Sequence, residues 1–277
     1  MGYGHQTVTI RHTDEPSAHL APTASSRPAR LIRRLFEAIA LWLFAHGAQA
    51  QKPIDIVDVR SVAPGIVIDI RYATAHNFIG RPIPGYESAK CLLTRRTAEA
   101  LARVHSQLRE FGLALKIFDC YRPQSAVDAF VTWARDLDDQ AMKAEFYPSV
   151  DKQDLFRDGY IAAKSGHSRA STVDLTIVRL PPEPLPGFDP SAPLRSCENE
   201  QQNRFADGSI DMGTGYDCFS ARSHTKSASV TPQQRANRLL LSEMMEAAGF
   251  KNLDEEWWHF TLSNEPYPDS YFDFPID

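Results

Sequence analysis

The sequence predicts an α+β fold in which a mostly antiparallel central sheet is flanked by helices. Two observations carry this prediction. Apolar residues recur at helical spacing in a few separate stretches, and short runs rich in β-branched residues lie between them. Strand and helix patterns do not alternate regularly, as they would in a doubly wound parallel sheet. The chain has 277 residues, 43% of them hydrophobic, and is long enough for one sizeable core.

Residues 1–50 have the pattern of a signal peptide or a disordered leader. The cationic stretch Arg30–Arg34 precedes a short apolar run, Leu35–Ala45, and Ala48-Gln49-Ala50 matches a cleavage site of the A-x-A type. The alternative is an amphipathic N-terminal helix, because an acidic residue interrupts the apolar run. We therefore expect one folded domain over residues 51–277, periplasmic or secreted, or cytoplasmic if the leader does not function.

Charge and cysteine content narrow the possible partners. The formal net charge is −5, which argues against a nucleic-acid partner, because phosphate binding depends on clustered lysine and arginine. We expect no stable membrane span after the leader is removed. The four cysteines permit disulfides in an oxidising compartment. Cys197 and Cys218 flank a polar loop and form the preferred pair, with reduced buried thiols as the alternative.

The first predicted elements are short strands followed by a long helix. Ile56–Arg60 and Ile66–Tyr72 alternate in polarity around a Pro-Gly pair, which predicts a β-hairpin or two edge strands. Thr94–Phe111 has apolar residues at helical spacing, begins at a threonine suited to capping, and stops at a glycine. The apolar run Leu113–Cys120 that follows is predicted to be a strand.

A sharp corner follows this strand. Tyr121-Arg122-Pro123 separates it from a second predicted helix over Gln124–Leu137, so Arg122 lies where a strand turns into a helix. Proline limits the backbone at such a corner, which holds the neighbouring arginine in a defined place. A third helical stretch is predicted over Asp139–Phe146.

The second half of the chain contains a strand, a long excursion, a helix and a last strand. Val173–Val178 has the β-branched residues of a strand. Leu180–Gly208 is rich in proline and polar residues and predicts a surface excursion. Thr231–Ala248 is a helix with a threonine cap and a proline at its first position. Trp257–Leu262 is the last predicted strand.

Two separate stretches together supply the residues of a catalytic zinc site. Ser165–Thr176 places His167 and Asp174 seven positions apart, where a loop becomes a strand, and His259 adds a second imidazole near the C-terminus. Catalytic zinc takes three protein ligands and keeps one position open. Amide hydrolysis also needs a base, and Glu256 is available three residues before His259.

This assignment of Glu256 carries a structural condition. Residues three apart on a regular strand point to opposite faces, so Glu256 must lie in the turn before the strand or at a bulge. Glu255 is the adjacent competitor, and only the spacing to His259 favours Glu256.

The chain resembles the zinc D-alanyl-D-alanine dipeptidases of the VanX type, within the D-Ala-D-Ala carboxypeptidase and hedgehog-like metallopeptidase group. The resemblance extends from about Ile54 to Leu262. The matching stretches are Arg71-Tyr72-Ala73-Thr74 with Asn77-Phe78 and Gly80, Asp119–Pro123, Ser165–Thr176, Asp211-Met212-Gly213-Thr214 with Asp217, and Glu256–Phe260.

The resemblance implies one zinc ion per chain and hydrolysis of the free dipeptide D-alanyl-D-alanine to two D-alanine molecules. It implies a metal bound by His167, Asp174 and His259, with Glu256 as the general base and acid. It also implies that Arg122 donates to the developing oxyanion, a role suited to a guanidinium held at a rigid corner.

The dipeptide's ammonium group needs a carboxylate, and the candidate is Asp211. Tyr72 and Ser165 are weaker candidates for the walls of the site, and each of the three has an ordinary structural alternative. Ala170 departs from the family pattern, because glycine is expected there if the position needs a positive φ.

Two other functions stay open. One is a carboxypeptidase that acts on longer peptidoglycan peptides, and the other is a non-catalytic zinc-containing module that binds cell wall. An acidic residue that blocks the amino side of the cleft favours the dipeptidase over the first. Retention of both Glu256 and Arg122 argues against the second, because neither is needed to hold a metal.

Overall fold

The computed structural model describes residues 52–277, and the predicted leader over residues 1–50 lies outside the described residues. A five-stranded sheet and a two-stranded sheet form the core of the fold. The strands are β1 (Ile56–Asp58), β2 (Val67–Ile68), β3 (Leu92–Thr94), β4 (Leu113–Asp119), β5 (Thr172–Arg179), β6 (Phe250–Leu253) and β7 (Glu256–Leu262).

The larger sheet has the strand order β2-β4-β5-β7-β6. Strand β2 runs parallel to β4, and the other neighbouring pairs are antiparallel. Strands β1 and β3 form the small sheet and are also antiparallel. The predicted α+β class with a mostly antiparallel sheet is confirmed.

Helices border the sheet, and the long ones begin where the sequence indicates. The helices are α1 (Arg95–Arg109), α2 (Gln124–Arg135), α3 (Lys143–Phe146) and α4 (Pro232–Ala247). The Thr94 side chain accepts from the Thr97 amide at the start of α1, and Thr231 forms a capping box with Gln234 at the start of α4. Helix α1 packs against β4, and α4 packs against β6.

Three expectations differ from the structure in detail. The first two strands do not form a hairpin, because β1 pairs with β3 and β2 pairs with β4; they are the predicted edge strands instead. The third helix covers only Lys143–Phe146, since a run of turns precedes it. Strand β6 was not predicted, and it places a strand on the outer side of β7.

The long excursion after β5 is anchored by covalent and polar contacts. It contains one short 3-10 helix, Gln201–Asn203, and is otherwise irregular. Cys197 forms a disulfide with Cys218, the pairing that the sequence favours, and Cys91 forms a second disulfide with Cys120. Within residues 52–277, no helix is long and apolar enough to cross a membrane.

Candidate active site

Two neighbouring strands and the turn before them bring the predicted metal ligands together. Asp174 on β5 lies directly opposite His259 on β7 in the antiparallel register. His167 lies in a 3-10 helix, Gly166–Arg169, that leads into β5. Asp174 Oδ1 is 3.2 Å from His167 Nε2 and 3.1 Å from His259 Nδ1. Potential ligand atoms of all three residues lie within 4.8 Å of one another.

A backbone carbonyl determines which nitrogen His167 presents to this cluster. Its Nδ1 lies 2.6 Å from the Cys120 carbonyl oxygen and must donate to it, because a carbonyl can only accept. The neutral ring then presents the lone pair of Nε2 to the other two residues. Such a second contact fixes the orientation and tautomer of a metal-binding histidine.

The Asp174 carboxylate supports the same interpretation. Its Oδ1 is buried and has no hydrogen-bond partner among residues 52–277, while Oδ2 accepts from the Tyr216 hydroxyl at 3.0 Å. A carboxylate oxygen that faces an imidazole lone pair is repelled unless a cation lies between them. His167, Asp174 and His259 therefore fit a divalent metal, and their type fits zinc.

Glu256 meets its structural condition through a bulge. The pairing of β6 with β7 shifts register between Asn252 and Leu253, and Glu256 is the first residue of β7. The side-chain amide of Asn252 donates to the backbone carbonyls of Glu256 and His259 at 3.0 and 2.9 Å. Glu256 Oε2 consequently lies 3.4 Å from His259 Nδ1, on the same side of the strand. Burial raises the pKa of Glu256 to about 6, although the charge of His259 opposes that rise.

Arg122 is held on several sides. Its Nε and Nη2 both donate to Asp119 Oδ2, at 3.0 and 2.9 Å. Its guanidinium carbon lies 5.0 Å from the ring centroids of both Tyr72 and Phe130. Nη2 is also 3.8 Å from Asp174 Oδ2. The guanidinium is thus fixed beside the metal-ligand cluster, at the corner that follows β4.

These side chains line one small cavity of about 210 Å³. Its walls include aromatic and aliphatic residues together with polar groups. The lining residues are Tyr72, Phe78, Arg122, Val127, Phe130, Gly159, Tyr160, Ile161, Ala162, Lys164, Ser165, Gly166, His167, Asp174, Asp217, Phe219, Leu253, Glu256 and His259. A space of this size suits a very small peptide.

Asp217 is the acidic residue that lines this cavity and that the sequence did not select. Its Oδ2 accepts from the Tyr72 hydroxyl at 2.7 Å, and its backbone has a φ of +56°. Burial raises the pKa of Asp217 well above its usual range, and the charge of Asp174 raises it further. A cation that enters the cavity would offset both effects. Tyr72 also lines this cavity, and its hydroxyl orients the Asp217 carboxylate.

The prediction that Asp211 binds the ammonium group does not fit its position. Its carboxylate accepts from Arg204 at 2.7 Å, from Gln234 at 2.8 Å and from the Gly213 amide at 3.0 Å. It lines a different cavity, of about 630 Å³, which contains none of the three metal-ligand candidates. The Asp211 carboxylate instead connects its loop to Arg204 and to helix α4.

Ser165 and Ala170 lie at the two ends of the turn that carries His167. The Ser165 hydroxyl caps the turn by accepting from the His167 amide at 3.2 Å, and it is 3.5 Å from Arg122 Nη1. It also lines the cavity. Ala170 has a φ of +55°, so an alanine adopts here the left-handed backbone for which glycine is the usual residue.

Comparison with known proteins identifies related sequences over nearly all of the described chain. A family model described as D-ala-D-ala dipeptidase matches residues 52–182 and 206–277. A D-alanyl-D-alanine dipeptidase of Streptomyces coelicolor is 37% identical over 222 residues, which cover 80% of this chain and 98% of the relative. One of Enterococcus faecalis is 35% identical over 76% of this chain and 93% of its own. One of Escherichia coli is 33% identical, with 75% and 84% covered.

Proposed function

This chain belongs to the D-ala-D-ala dipeptidase family of metallopeptidases, and we propose that it hydrolyses the free dipeptide D-alanyl-D-alanine to two D-alanine molecules at the cavity that His167, Asp174 and His259 line. His167, Asp174 and His259 are the proposed ligands of one zinc ion. Zinc bound there would supply Lewis-acid polarisation of the scissile carbonyl and would acidify water. The reaction class is amide hydrolysis, in which the C–N bond breaks and a proton passes to the leaving amine.

Glu256 is the proposed proton carrier. It takes the proton of the attacking water and delivers it to the leaving nitrogen, and such catalysis contributes about 10²–10⁴ in rate. Its position supports this role, because its carboxylate lies beside His259 and faces the cavity. A pKa of about 6 suits a group that must accept a proton and release it near neutral pH.

Arg122 and Asp217 are proposed to act on opposite charges. The Arg122 guanidinium donates to the oxygen that becomes negative as water adds to the carbonyl, and loss of such a donor typically costs about 10²–10³ in rate. The Asp217 carboxylate accepts from the substrate ammonium group, which replaces the desolvated, unfavourable charge with an ion pair. Both residues line the cavity, which supports these roles.

The observation that carries this proposal is the presence of four chemical functions in one cavity of about 210 Å³. A metal-binding cluster, a carboxylate beside it, a fixed guanidinium and a second buried carboxylate all face that space. A module that only binds cell wall needs none of the last three. An extended peptide would have to pass the buried Asp217 at the amino side, which disfavours the carboxypeptidase alternative.

The proposal is tested by comparing two substrates on the zinc-loaded chain. We expect hydrolysis of D-alanyl-D-alanine and at least about tenfold lower kcat/KM for its N-acetyl form, because the acyl group removes the ammonium charge and a charge-assisted contact is worth roughly 1.5–3 kcal/mol. Equal or faster cleavage of the acetylated form would favour a carboxypeptidase. Zinc binding without cleavage of either compound would favour a non-catalytic module.

We further propose that the chain acts outside the cytoplasm, in wall turnover or recovery of D-alanine. The leader pattern of residues 1–50 supports export. Two buried disulfides within residues 52–277 support an oxidising compartment, because such bonds are rare in reducing ones. Fractionation of cells that express the full chain checks this; recovery with the cytoplasmic fraction, with all four thiols free, would contradict it.

A further inference from the structure

The family match is interrupted over residues 183–205, which we name the inserted segment. This segment is attached to the active-site wall by a covalent bond. Its Cys197 forms the disulfide with Cys218, and both residues are buried. Cys218 is the direct neighbour of Asp217, so the inserted segment is tied to the chain one residue from the proposed ammonium ligand.

Asp217 lies in the loop Gly215–Phe219, and three consecutive residues of this loop contact three different partners. The Tyr216 hydroxyl donates to Asp174 Oδ2 at 3.0 Å, and the Asp217 carboxylate accepts from Tyr72 at 2.7 Å. Cys218 points to the inserted segment. Phe219 follows and lines the cavity, where its ring stacks on Tyr160 at a centroid distance of 5.0 Å. A shift of this loop would therefore move several groups of the site together.

Hydrogen bonds from residues before and after Asp217 also connect this part of the chain to the inserted segment. The Gly215 amide donates to the Cys197 carbonyl at 2.9 Å, and a Cβ at Gly215 would lie only 3.3 Å from Cys197 Cβ. The Glu198 carboxylate accepts from the hydroxyls of Ser220 and Ser149. Its carbonyl accepts from Arg222 Nη1 at 2.8 Å. Contacts of the inserted segment thus lie before and after Asp217.

The backbone of Asp217 explains why such support is needed. Its φ of +56° lies in the left-handed region, which a residue with a side chain occupies only when its surroundings hold it there. Its carboxyl is also buried, where an isolated charge is unfavourable. The contacts of Cys197 and Glu198 oppose relaxation of the loop toward either a common backbone conformation or solvent.

We propose that the inserted segment is a positioning element for recognition of the substrate ammonium group, with Cys197 and Glu198 as its positioning residues. This inference rests on the proposed function, in which Asp217 receives that ammonium group. It assigns a role in substrate selection to residues that lie outside the family match and do not line the cavity.

The test uses the full zinc-loaded chain with the Cys197→Ser, Cys218→Ser double substitution. We expect KM for D-alanyl-D-alanine to rise between about 10- and 100-fold while kcat changes much less, since a misplacement of about 1 Å can cost 10²-fold. The preference for the free dipeptide over its N-acetyl form should fall by the same factor. Amide hydrogen exchange of Gly215–Phe219 should quicken, while exchange in β5 should stay unchanged.

Two further variants keep the outcome interpretable. Glu198→Ala removes the hydroxyl contacts without touching the disulfide and should shift KM and exchange in the same direction, which also covers the case in which the double variant does not fold. Asp189→Ala is the matched control, because Asp189 is an exposed residue of the same segment whose contacts are to Ser191 within one turn. It should leave both measurements unchanged.

The exchange measurement separates this inference from the proposed function. Unchanged exchange over Gly215–Phe219 in the double variant and in Glu198→Ala would overturn the inference, whether or not the chain is active. A lower melting temperature with unchanged KM and substrate preference would also overturn it, because the segment would then be only a stabilising element. Absence of hydrolysis in the unsubstituted chain would overturn the proposed function instead.

Discussion

At the scale of the single residue, two aspartates of one loop have different environments. Asp211 and Asp217 are six positions apart, but three donors saturate the Asp211 carboxylate, whereas Asp217 receives one tyrosine hydroxyl and faces the cavity. A carboxylate that already accepts three hydrogen bonds gains little from a substrate. A buried carboxylate with one partner gains much more.

We predict that Asp217→Asn raises KM for D-alanyl-D-alanine by roughly 10- to 100-fold, because a hydrogen bond to a charged group contributes about 1.5–3 kcal/mol. Steady-state kinetics measure this. The matched variant Asp211→Asn should change KM by less than about twofold, although it weakens the Arg204 contact and lowers stability by about 1 kcal/mol. A larger rise in KM for Asp211→Asn than for Asp217→Asn would reverse the assignment.

We predict that Glu256→Gln lowers kcat by about 10²–10⁴ and leaves one zinc ion bound, because the amide keeps the shape but cannot carry the proton. Metal analysis by atomic absorption accompanies the rate measurement. Glu255→Gln serves as the control, since Glu255 is exposed and does not line the cavity. Similar losses in both variants would remove the reason to distinguish the two glutamates.

At the scale of the secondary-structure element, the pairing of β6 with β7 brings the proposed base, Glu256, and the proposed metal ligand, His259, to the same side of β7. An unbroken ladder would send Glu256 and His259 to opposite faces of the sheet. The register shift beside Leu253 removes that conflict, and the Asn252 amide holds the carbonyls of both residues. The spacing of three therefore works only because a strand that the sequence did not reveal lies next to β7.

We predict that Asn252→Ala reduces kcat by about 10²-fold, because it releases the backbone that aligns Glu256 with His259 and small misplacements have effects of that size. It should also lower the free energy of unfolding by roughly 1–3 kcal/mol, since two partly buried carbonyls lose a donor. Kinetics and denaturant unfolding measure the two effects. Lys251→Ala, an exposed position on the same strand, should leave kcat unaltered. An active Asn252→Ala enzyme would show that the bulge forms without this amide.

At the scale of the whole molecule, the five-stranded sheet brings site residues together from distant parts of the chain. Strand β5 lies between β4, which leads to Arg122, and β7, which carries Glu256 and His259. The metal-ligand cluster thus connects strands that are far apart in sequence. Bound metal is expected to stabilise the folded state, because the unfolded chain does not hold these ligands together.

We predict that a chelator abolishes hydrolysis and lowers the free energy of unfolding by about 3 kcal/mol relative to the chain with zinc at 100 times its Kd. Added zinc should restore both, as measured by calorimetry and by rate. The variant Asp174→Asn should lose most of this zinc response, while Asp211→Asn should keep it. A melting temperature that zinc does not change would argue against the ligand set.

Local signals in the sequence were sufficient for several of these features. The caps at Thr94 and Thr231 and the strand that carries Asp174 depend on neighbouring residues, so residue type and spacing predict them. The set of His167, Asp174, His259 and Glu256 was likewise recognisable from residue chemistry and from the resemblance to a known family.

Only the tertiary structure decided which of these residues meet. The separate partners of β1 and β2, the bulge next to Glu256 and the choice of Asp217 over Asp211 depend on contacts with residues far along the chain. The physical reason is that periodicity and capping are local, whereas strand pairing and side-chain burial are determined by which distant segments pack together. The inserted segment shows both sides of this division: the sequence favours its Cys197–Cys218 pair, but only the folded chain places that bond beside Asp217 at the wall of the cavity.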